Sequence, residues 1–256
     1  MMKEWWQDFF IPVTGEIMFQ PRKQHSVLEV SEVVKKTKVP KSAKILDLAC
    51  GVGRHSIIFS KNGFDVIGLG FSKNYLAEAK ASALKAKAKV KFVHGDMKNL
   101  KPHFGDETFD LVVSLYNSFG YFKNRSDDMK MLKEVFRVLK PGGKLVINTL
   151  NGNGVRQALE KPISVGREPI RNVFMIDAAK FDLKKCQTQS QWTIIDARKE
   201  KSKIHRMSFQ QNVYSHQQLK TALKKAGFKI ETTWGLLQGG PFNSSKTWHQ
   251  TIVAKK

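Results

Sequence analysis

The stretch ILDLACGVGRHS, residues 45–56, runs from a short apolar segment into a glycine-rich turn and on toward a helix. The apolar segment predicts a buried strand. The two glycines let the backbone approach a ligand, and the loop directs amide groups toward a helix N-terminus. The spacing excludes two familiar phosphate-binding loops. Ser56 stands where a dinucleotide fingerprint needs its third glycine, and no Gly-Lys-Ser/Thr sequence follows as it does in a P-loop.

Apolar runs and helical patterns alternate on both sides of this loop. Strands are predicted at 43–49, 65–70, 90–96, 109–116 and 144–150. Helices are predicted at 25–36, 53–62 and 72–88, and a further helix begins at Ser126 and is stopped by KPGG at 140–143. Such alternation is typical of a parallel sheet that is covered by helices on both faces.

Capping residues and apolar stripes support several of these helices. Ser72 and Ser126 are expected to be N-caps, since a serine side chain accepts a hydrogen bond from the first turn. Helical spacing relates the apolar residues of two predicted inner stripes: Val27, Val30, Val33 and Val34 in the first helix, and Leu132, Val135, Phe136 and Leu139 in the helix from Ser126.

The pattern changes after the fifth strand. From about 160 to 214 there is no clear helical period, and RNVFMID, KFDLKK, QSQWTIID and HRMSFQQNVY read as half-buried strands. A helix at 215–226 and strands at 228–234 and 247–255 complete the chain. The predicted fold is therefore α/β, with a doubly wound, mostly parallel, Rossmann-like sheet of seven strands and a small antiparallel β insertion after strand five.

Composition narrows the class of protein. The chain has no run of about 18 apolar residues and its N-terminus does not resemble a secretory signal, so neither a membrane span nor export is expected. Cys50 and Cys186 follow no metal-binding spacing, which predicts reduced thiols, no metal site and a cytoplasmic location. The net charge of +22 leaves nucleic acid open as a partner. Only nine of the 44 basic residues are arginine, however, and lysines scattered over every element favour a solvated surface.

Four motifs in order resemble those of class I S-adenosylmethionine-dependent methyltransferases of the bacterial small-molecule type. They are ILDLACGVGRHS, VHGDMKNL, FDLVVSLYNSFGYF and VFRVLKPGGKLVINTLN, and they cover about 42–150. The resemblance extends weakly to AGFKIETTWGLLQGGPF near the end of the chain. It implies a reaction in which a methyl group moves from S-adenosylmethionine to a small-molecule nitrogen or oxygen acceptor by direct displacement, leaving S-adenosylhomocysteine. Alignment of the reactants, rather than a catalytic base, is then the main task of the protein.

The resemblance also implies which residues touch the cofactor. Ala49, Gly51 and Gly53 would pass close to its methionine part, and Asp47 would act through the amino group or a water. Asp96 would hold the adenine beside Met97, and the Leu115 carbonyl would face the amino group. The implied cofactor-binding set is Asp47, Ala49, Gly51, Gly53, Gly70, Phe71, Asp96, Met97 and Leu115.

Gly70 departs from the family pattern. Relatives carry an acidic residue there that accepts two ribose hydroxyl bonds, and Asp65 cannot replace it because it lies at the opposite end of the same strand. Hydrogen bonds to a charged group contribute about 1.5–3 kcal/mol, so their loss predicts binding weakened about ten- to hundredfold. Ser72, Asn74 or ordered water would compensate in part.

The acceptor pocket is expected at the carboxyl ends of the strands, where the strand order reverses. Residues 1–40 are predicted to form a helical lid that carries Trp5, Trp6, Phe9, Phe10, Met18 and Phe19. Residues 41–159 and 215–256 would form the catalytic core, and 160–214 a wall of the substrate pocket. The predicted substrate-binding residues are Tyr116, Asn117, Phe119, Tyr121, Phe19 and Trp192.

Two other functions stay open. The basic charge suggests an RNA or tRNA methyltransferase, although NSFG after strand four differs from the Asn/Asp-Pro-Pro-aromatic run of amino-group base methylation. Gly70 suggests instead a catalytically weak member of the fold that only binds the cofactor. Binding to tRNA that weakens with salt would support the first alternative, and turnover of the cofactor would exclude the second.

Overall fold

Two β-sheets organise the protein in the computed structural model, which describes residues 5, 9–19 and 24–256. Trp6 of the predicted lid lies outside the described residues. The elements in chain order are α1 (Pro12–Phe19), α2 (Ser26–Thr37), β1 (Lys44–Leu48), α3 (Arg54–Lys61), β2 (Asp65–Gly70), α4 (Lys73–Lys85), β3 (Val90–His94), β4 (Phe109–Ser114), α5 (Arg125–Val138), β5 (Leu139–Leu150), α6 (Gly152–Ala158), β6 (Ile163–Ile170), β7 (Val173–Asp182), β8 (Gln187–Asp196), β9 (Lys203–Asn212), α7 (His216–Lys225), β10 (Lys229–Trp234) and β11 (His249–Lys255).

The larger sheet has seven strands in the order β10-β11-β5-β4-β1-β2-β3. The five strands from β3 to β5 pair in parallel, whereas β11 runs antiparallel to both β5 and β10. The chain winds outward from β1 in both directions, so the strand order reverses between β1 and β4. The predicted fold class is confirmed, and the carboxyl ends of these strands form a crevice at the reversal.

The helix termini follow the sequence signals with one exception. Ser72 caps α4 as predicted, since its side chain accepts a hydrogen bond from the Tyr75 backbone amide. Ser126 as N-cap is wrong. The helix α5 begins at Arg125 after Asn124, which places Ser126 inside the first turn. After α5, residues 140–143 bulge out of the β4–β5 ladder between Leu139 and Lys144 and continue into the fifth strand.

Two helices bury stripes that differ from the predicted ones. In α2, Val30 and Val33 are buried as expected, but Val27 is 61% exposed. The buried face of α2 instead includes Glu29, and that of α5 includes Asp128. Both carboxylates are completely covered. Each lies one turn from the apolar residues of its stripe, because positions three and four apart share a helix face.

The insertion forms a four-stranded antiparallel sheet in the order β6-β7-β8-β9. Two of the predicted strand segments, RNVFMID and KFDLKK, belong to the single strand β7. The strand β6 and the short helix α6 were not predicted. Most of β6 is exposed on both faces, so it has no alternation of buried and exposed residues to mark it.

Hydrophobic clusters cover both faces of the larger sheet, and a third cluster joins the insertion to the N-terminal helix. In this third cluster Phe9, Val13 and Ile17 pack against Met175 and Trp192 of the four-stranded sheet. Helix α1 is thus held between the two sheets, above the strand ends. Among the described residues, no helix combines the length and the apolar character that crossing a membrane requires.

Candidate functional site

The glycine loop after β1 adopts a backbone that few residues tolerate. Ala49, Gly51 and Gly53 have φ angles of 63°, 56° and 73°, all in the left-handed region. The Cys50 amide donates to the Leu69 carbonyl at 2.9 Å, which ties the loop to the end of β2. A side chain at Gly51 would place its Cβ 3.0 Å from the Phe19 ring. Glycine at this position therefore allows another group to lie against the backbone.

One cavity lies at the carboxyl ends of β1, β2, β3 and β4. It brings together most of the predicted cofactor residues: Asp47, Ala49, Gly51, Gly70, Phe71, Asp96, Met97 and Leu115. Gly53 is the exception. A Cβ there would lie 2.8 Å from the Phe92 ring, so this glycine allows α3 to pack closely over β3 rather than lining the cavity.

The predicted acceptor residues separate into two groups. Tyr116, Tyr121 and Phe19 line the same cavity. The other three lie elsewhere: Phe119 belongs to the core beneath the sheet, Asn117 accepts a hydrogen bond from Gln211 through its backbone carbonyl, and Trp192 packs against Phe9 in the cluster under α1.

The turn after β4 is conformationally unusual. Tyr116 and Asn117 have φ angles of 54° and 61°, which are uncommon for residues with a side chain. Asn148 of β5 holds this turn: its Oδ1 accepts from the Tyr116 amide at 3.2 Å, and its carbonyl accepts from the Asn117 amide at 3.1 Å. The turn directs the Tyr116 side chain to the cavity, and such strain is typical of functional sites.

The end of β2 lacks an acidic side chain and is lined by apolar groups. A Cβ at Gly70 would lie 3.0 Å from Leu76 Cδ2 and 3.4 Å from Cys50 Sγ. The Ser72 hydroxyl accepts from the Tyr75 amide at 3.4 Å and lies 3.5 Å from the Phe10 carbonyl. This hydroxyl therefore already serves the start of α4.

Two aspartates at strand ends differ in environment. Asp47 is buried and accepts a hydrogen bond from Ser56 Oγ at 2.5 Å, and burial raises the pKa of its carboxyl. Asp96 is partly exposed. Its Oδ1 accepts from the Lys98 amide at 3.0 Å, and its Oδ2 lies 4.0 Å from Lys98 Nζ. Asp96 is thus suited to accept a hydrogen bond from a ligand, whereas Asp47 already accepts one from Ser56 beside the glycine loop.

A buried ionic network borders the cavity, and its central residue was missed from the sequence. Glu29 of α2 meets His55 Nε2 at 2.7 Å and Arg54 Nη1 at 3.0 Å, and the Tyr116 hydroxyl donates to its other oxygen. Burial alone would raise the pKa of Glu29, but hydrogen bonds from His55 and Tyr116 lower it. Burial lowers the pKa of His55.

The lowered pKa values of both groups favour an ionised Glu29, which only accepts hydrogen bonds, and a neutral His55 that donates to it from Nε2. A signal for Glu29 was present in the sequence. A charged residue next to Val30 and four positions before Val33 falls on the apolar stripe of a helix, where charge is rare unless it is paired.

Helix α1 covers the cavity. Phe10, Met18 and Phe19 contribute to its lining. The Tyr75 hydroxyl of α4 bonds to the Ile11 carbonyl at 3.0 Å, and Gly15 leaves room for the Tyr75 ring, since a Cβ there would lie 2.9 Å from it. On its other side, Glu16 pairs with Arg198 of the β8–β9 connection at 2.6 Å. The helix is therefore anchored to both the core and the insertion.

Sequence comparison connects this site to known proteins. A family model described as a methyltransferase domain matches residues 45–143. A demethylmenaquinone methyltransferase of Geobacillus sp. (strain WCH70) is 38% identical over 119 residues, which are 45% of this chain and 48% of that protein. A glycine/sarcosine N-methyltransferase of Aphanothece halophytica is 34% identical over 118 residues, 46% of this chain and 44% of that protein. The chain spans about half the length of the curated relatives it matches.

Solved structures share the whole architecture. An S-adenosylmethionine-dependent methyltransferase from Clostridium acetobutylicum ATCC 824 aligns with a TM-score of 0.80 at 18% identity, covering 94% of this chain and 95% of its own. The amino pentose methyltransferase CalS10 from Micromonospora echinaspora aligns with a TM-score of 0.68 at 18% identity, covering 97% and 99%. Both alignments cover almost the whole chain, and at 18% identity they establish the fold alone.

Proposed function

We propose that this chain, whose residues 45–143 match a methyltransferase-domain model, is a class I S-adenosylmethionine-dependent methyltransferase that moves a methyl group from S-adenosylmethionine to a small-molecule nitrogen or oxygen acceptor. The observation that carries the proposal is the meeting of the motif residues in one cavity. Residues from the ends of β1, β2, β3 and β4, which are distant in sequence, line it together. A crevice at the reversal of strand order is the usual ligand site in such sheets.

The residues at hand fit the cofactor in most respects. The left-handed turns at Ala49 and Gly51 offer a close backbone approach, and Asp96 offers a partly exposed acceptor at the end of β3. Leu115 offers a carbonyl that accepts one bond from Ser118 Oγ at 2.8 Å and has a second lone pair. Gly70 fits less well, since it supplies no acceptor for a ribose. This supports binding that is weaker than in relatives with an acid there.

The cofactor supplies an activated methyl group on a sulfonium, so the protein mainly needs to align the acceptor and exclude water. Helix α1 and the segment before it serve the second purpose in this proposal, because Phe10, Met18 and Phe19 line the cavity. The ring of Tyr121 offers an apolar surface beside them. Residues 1–40 would thus act as the lid, and the four-stranded sheet that supports α1 would complete the acceptor wall.

A turnover assay with matched variants tests the proposal. Purified protein is incubated with S-adenosylmethionine and a panel of amines and hydroxylated small molecules, and release of S-adenosylhomocysteine is measured. Asp96→Ala should weaken S-adenosylhomocysteine binding at least about tenfold by calorimetry, because a charged acceptor is lost. Asp65→Ala is the control, since Asp65 is exposed at the opposite end of β2.

Three outcomes would contradict the proposal in different ways. Absence of both binding and turnover rejects the cofactor assignment. Binding without turnover on any acceptor favours the catalytically weak alternative. Methylation of tRNA, with binding that weakens steeply as salt is raised, favours a nucleic-acid acceptor.

A further inference from the structure

A single buried carboxylate joins three elements at one edge of the cavity. Glu29 lies on α2, whereas its donors Arg54 and His55 begin α3 and Tyr116 follows β4. Arg54, His55 and Tyr116 line the cavity, and Glu29 lies behind them with no exposed surface. Any influence of Glu29 on a ligand therefore passes through these three side chains.

The geometry fixes Arg54 and Tyr116 relative to each other. The Arg54 guanidinium lies over the Tyr116 ring, 4.0 Å from its centroid, and its Nη1 donates to Ser26 Oγ at 2.6 Å as well as to Glu29. The His55 ring stacks on Tyr116 at a centroid distance of 5.7 Å. A planar guanidinium held in this way presents its donors in a fixed orientation, which suits a carboxylate.

The position of this pair indicates which part of a ligand it meets. Arg54 is three residues after Gly51, and Tyr116 directly follows Leu115. Both Gly51 and Leu115 are expected near the amino-acid end of the cofactor. Although the chain has 44 lysines and arginines, Arg54 is the only one of them among the described residues that line the cavity. An anionic group in the cavity would therefore find its one guanidinium partner among the described residues at this edge, with the guanidinium charge balanced by Glu29.

We propose that Glu29 is a positioning residue that holds Arg54, stacked on the Tyr116 ring, as the binding group for the carboxylate at the amino-acid end of the cofactor. The inference rests on the proposed function, because it assigns a role within the same cavity. Glu29 itself does not touch the ligand. Its carboxylate balances the charge of the buried guanidinium, accepts the one hydrogen of the Tyr116 hydroxyl, and so fixes the guanidinium over the Tyr116 ring.

Two ligands separate this role from general support of the fold. S-adenosylhomocysteine carries the amino-acid carboxylate, whereas 5′-methylthioadenosine keeps the adenosine and the thioether but lacks that end. For Glu29→Gln, we expect S-adenosylhomocysteine binding measured by calorimetry to weaken about tenfold, the effect of one charge-assisted contact. Binding of 5′-methylthioadenosine should change less than about twofold, since no lost contact reaches it.

Glu32→Gln is the matched control on the same helix. Glu32 pairs with Lys36 at 3.6 Å and with Lys35 at 3.9 Å on the surface of α2, away from the cavity lining. This substitution removes the same charge from the same element. It should leave the affinities for both ligands unchanged.

A second variant decides the question if Glu29→Gln does not fold, since removing one partner of a buried ion pair is costly. Tyr116→Phe removes only the hydroxyl and keeps the ring under Arg54. This variant should weaken the binding of S-adenosylhomocysteine several-fold and leave the binding of 5′-methylthioadenosine unchanged. Equal weakening of both ligands in a folded variant, or no change for either, overturns the inference. Failure of the wild-type protein to bind either ligand rejects the proposed function itself.

Discussion

Gly70 is the residue at which this cavity differs most from the pattern that its motifs resemble. The space beside it is filled by Leu76 Cδ2, 3.0 Å from a Cβ built there, and by Cys50 Sγ at 3.4 Å. Its φ angle lies outside the left-handed region, so a side chain meets no backbone strain. Only the flexible end of Leu76 lies closer than ordinary van der Waals contact to a Cβ at this position.

Gly70→Asp should therefore increase the affinity for S-adenosylhomocysteine. A carboxylate at the end of β2 restores acceptors for the ribose hydroxyls, and hydrogen bonds to a charged group are worth about 1.5–3 kcal/mol. The expected gain in calorimetry is about ten- to hundredfold.

Gly70→Asn serves as the control for size, because it fills the same space without the charge. It should gain much less affinity than the aspartate variant. Equal affinities for wild type and Gly70→Asp would mean that the ribose is held by other groups, and the idea of weakened binding would then be wrong.

The place of several motif residues at the cavity could be predicted because they lie at or just after the carboxyl ends of parallel strands. Asp47, Asp96 and Leu115 reach the cavity because the carboxyl ends of parallel strands meet at one edge of a sheet. Gly53 did not follow this rule, because a glycine can serve a helix–strand contact as well as a ligand. A motif shows that close approach occurs, but it does not identify the group that approaches.

At the scale of elements, helix α5 parallels α2 in burying a carboxylate. Asp128 Oδ2 accepts from Tyr214 Oη at 2.7 Å and from Asn212 Nδ2 at 2.8 Å. Asn212 ends β9 and Tyr214 follows it, so Asp128 joins the insertion to the core. Burial raises the pKa of Asp128 to about 6, despite these hydrogen bonds. The junction is thus most stable when Asp128 is protonated.

The raised pKa of Asp128 predicts that the difference in stability between wild type and Asp128→Asn depends on pH. The pKa of Asp128 is about 6 when folded and 3.8 when unfolded, so its stabilising effect is complete below about pH 4 and is lost as the pH rises through 6. Two pKa units correspond to about 3 kcal/mol. Asp128→Asn should not show that loss. Urea unfolding between pH 4 and 7.5 should therefore show the variant gaining stability relative to wild type as the pH rises.

The neighbouring Asp127 provides a control of opposite sign. A hydrogen bond from Lys130 lowers the pKa of Asp127, so its contribution is present above the unfolded pKa and is lost as the pH falls. Asp127→Asn should lose stability relative to wild type at higher pH. A pH-independent difference between Asp128→Asn and wild type would contradict the assigned protonation of Asp128.

Whether an element could be predicted depended on how strongly it is buried. The strands β1, β2 and β4 are almost completely covered and appear in the sequence as apolar runs. The strand β6 was missed because it lies at the edge of its sheet with both faces largely exposed. The apolar stripe of α2 signals that Glu29 is buried, but no local pattern encodes the tertiary partners that compensate the charge of Glu29 or bind Asp128.

At the scale of the whole molecule, the protein carries a large excess of positive charge, with a net charge of +22. There are 44 lysines and arginines against 22 aspartates and glutamates. Ion pairs such as Lys140 with Asp110 and Lys144 with Glu231 each join one basic and one acidic residue, so they leave this excess unchanged. An excess of like charge destabilises the compact state through self-repulsion.

Added salt should therefore stabilise this protein. The Debye length falls from about 30 Å at 0.01 M to about 8 Å at 0.15 M, which screens repulsion between distant lysines more than attraction within close pairs. The free energy of unfolding in urea at pH 7 should rise over this range of sodium chloride. Replacing the exposed Lys199 and Lys201 of the β8–β9 connection and Lys203 at the start of β9 by glutamine should reduce that rise. A free energy that falls with salt would instead mean that the ion pairs outweigh the repulsion.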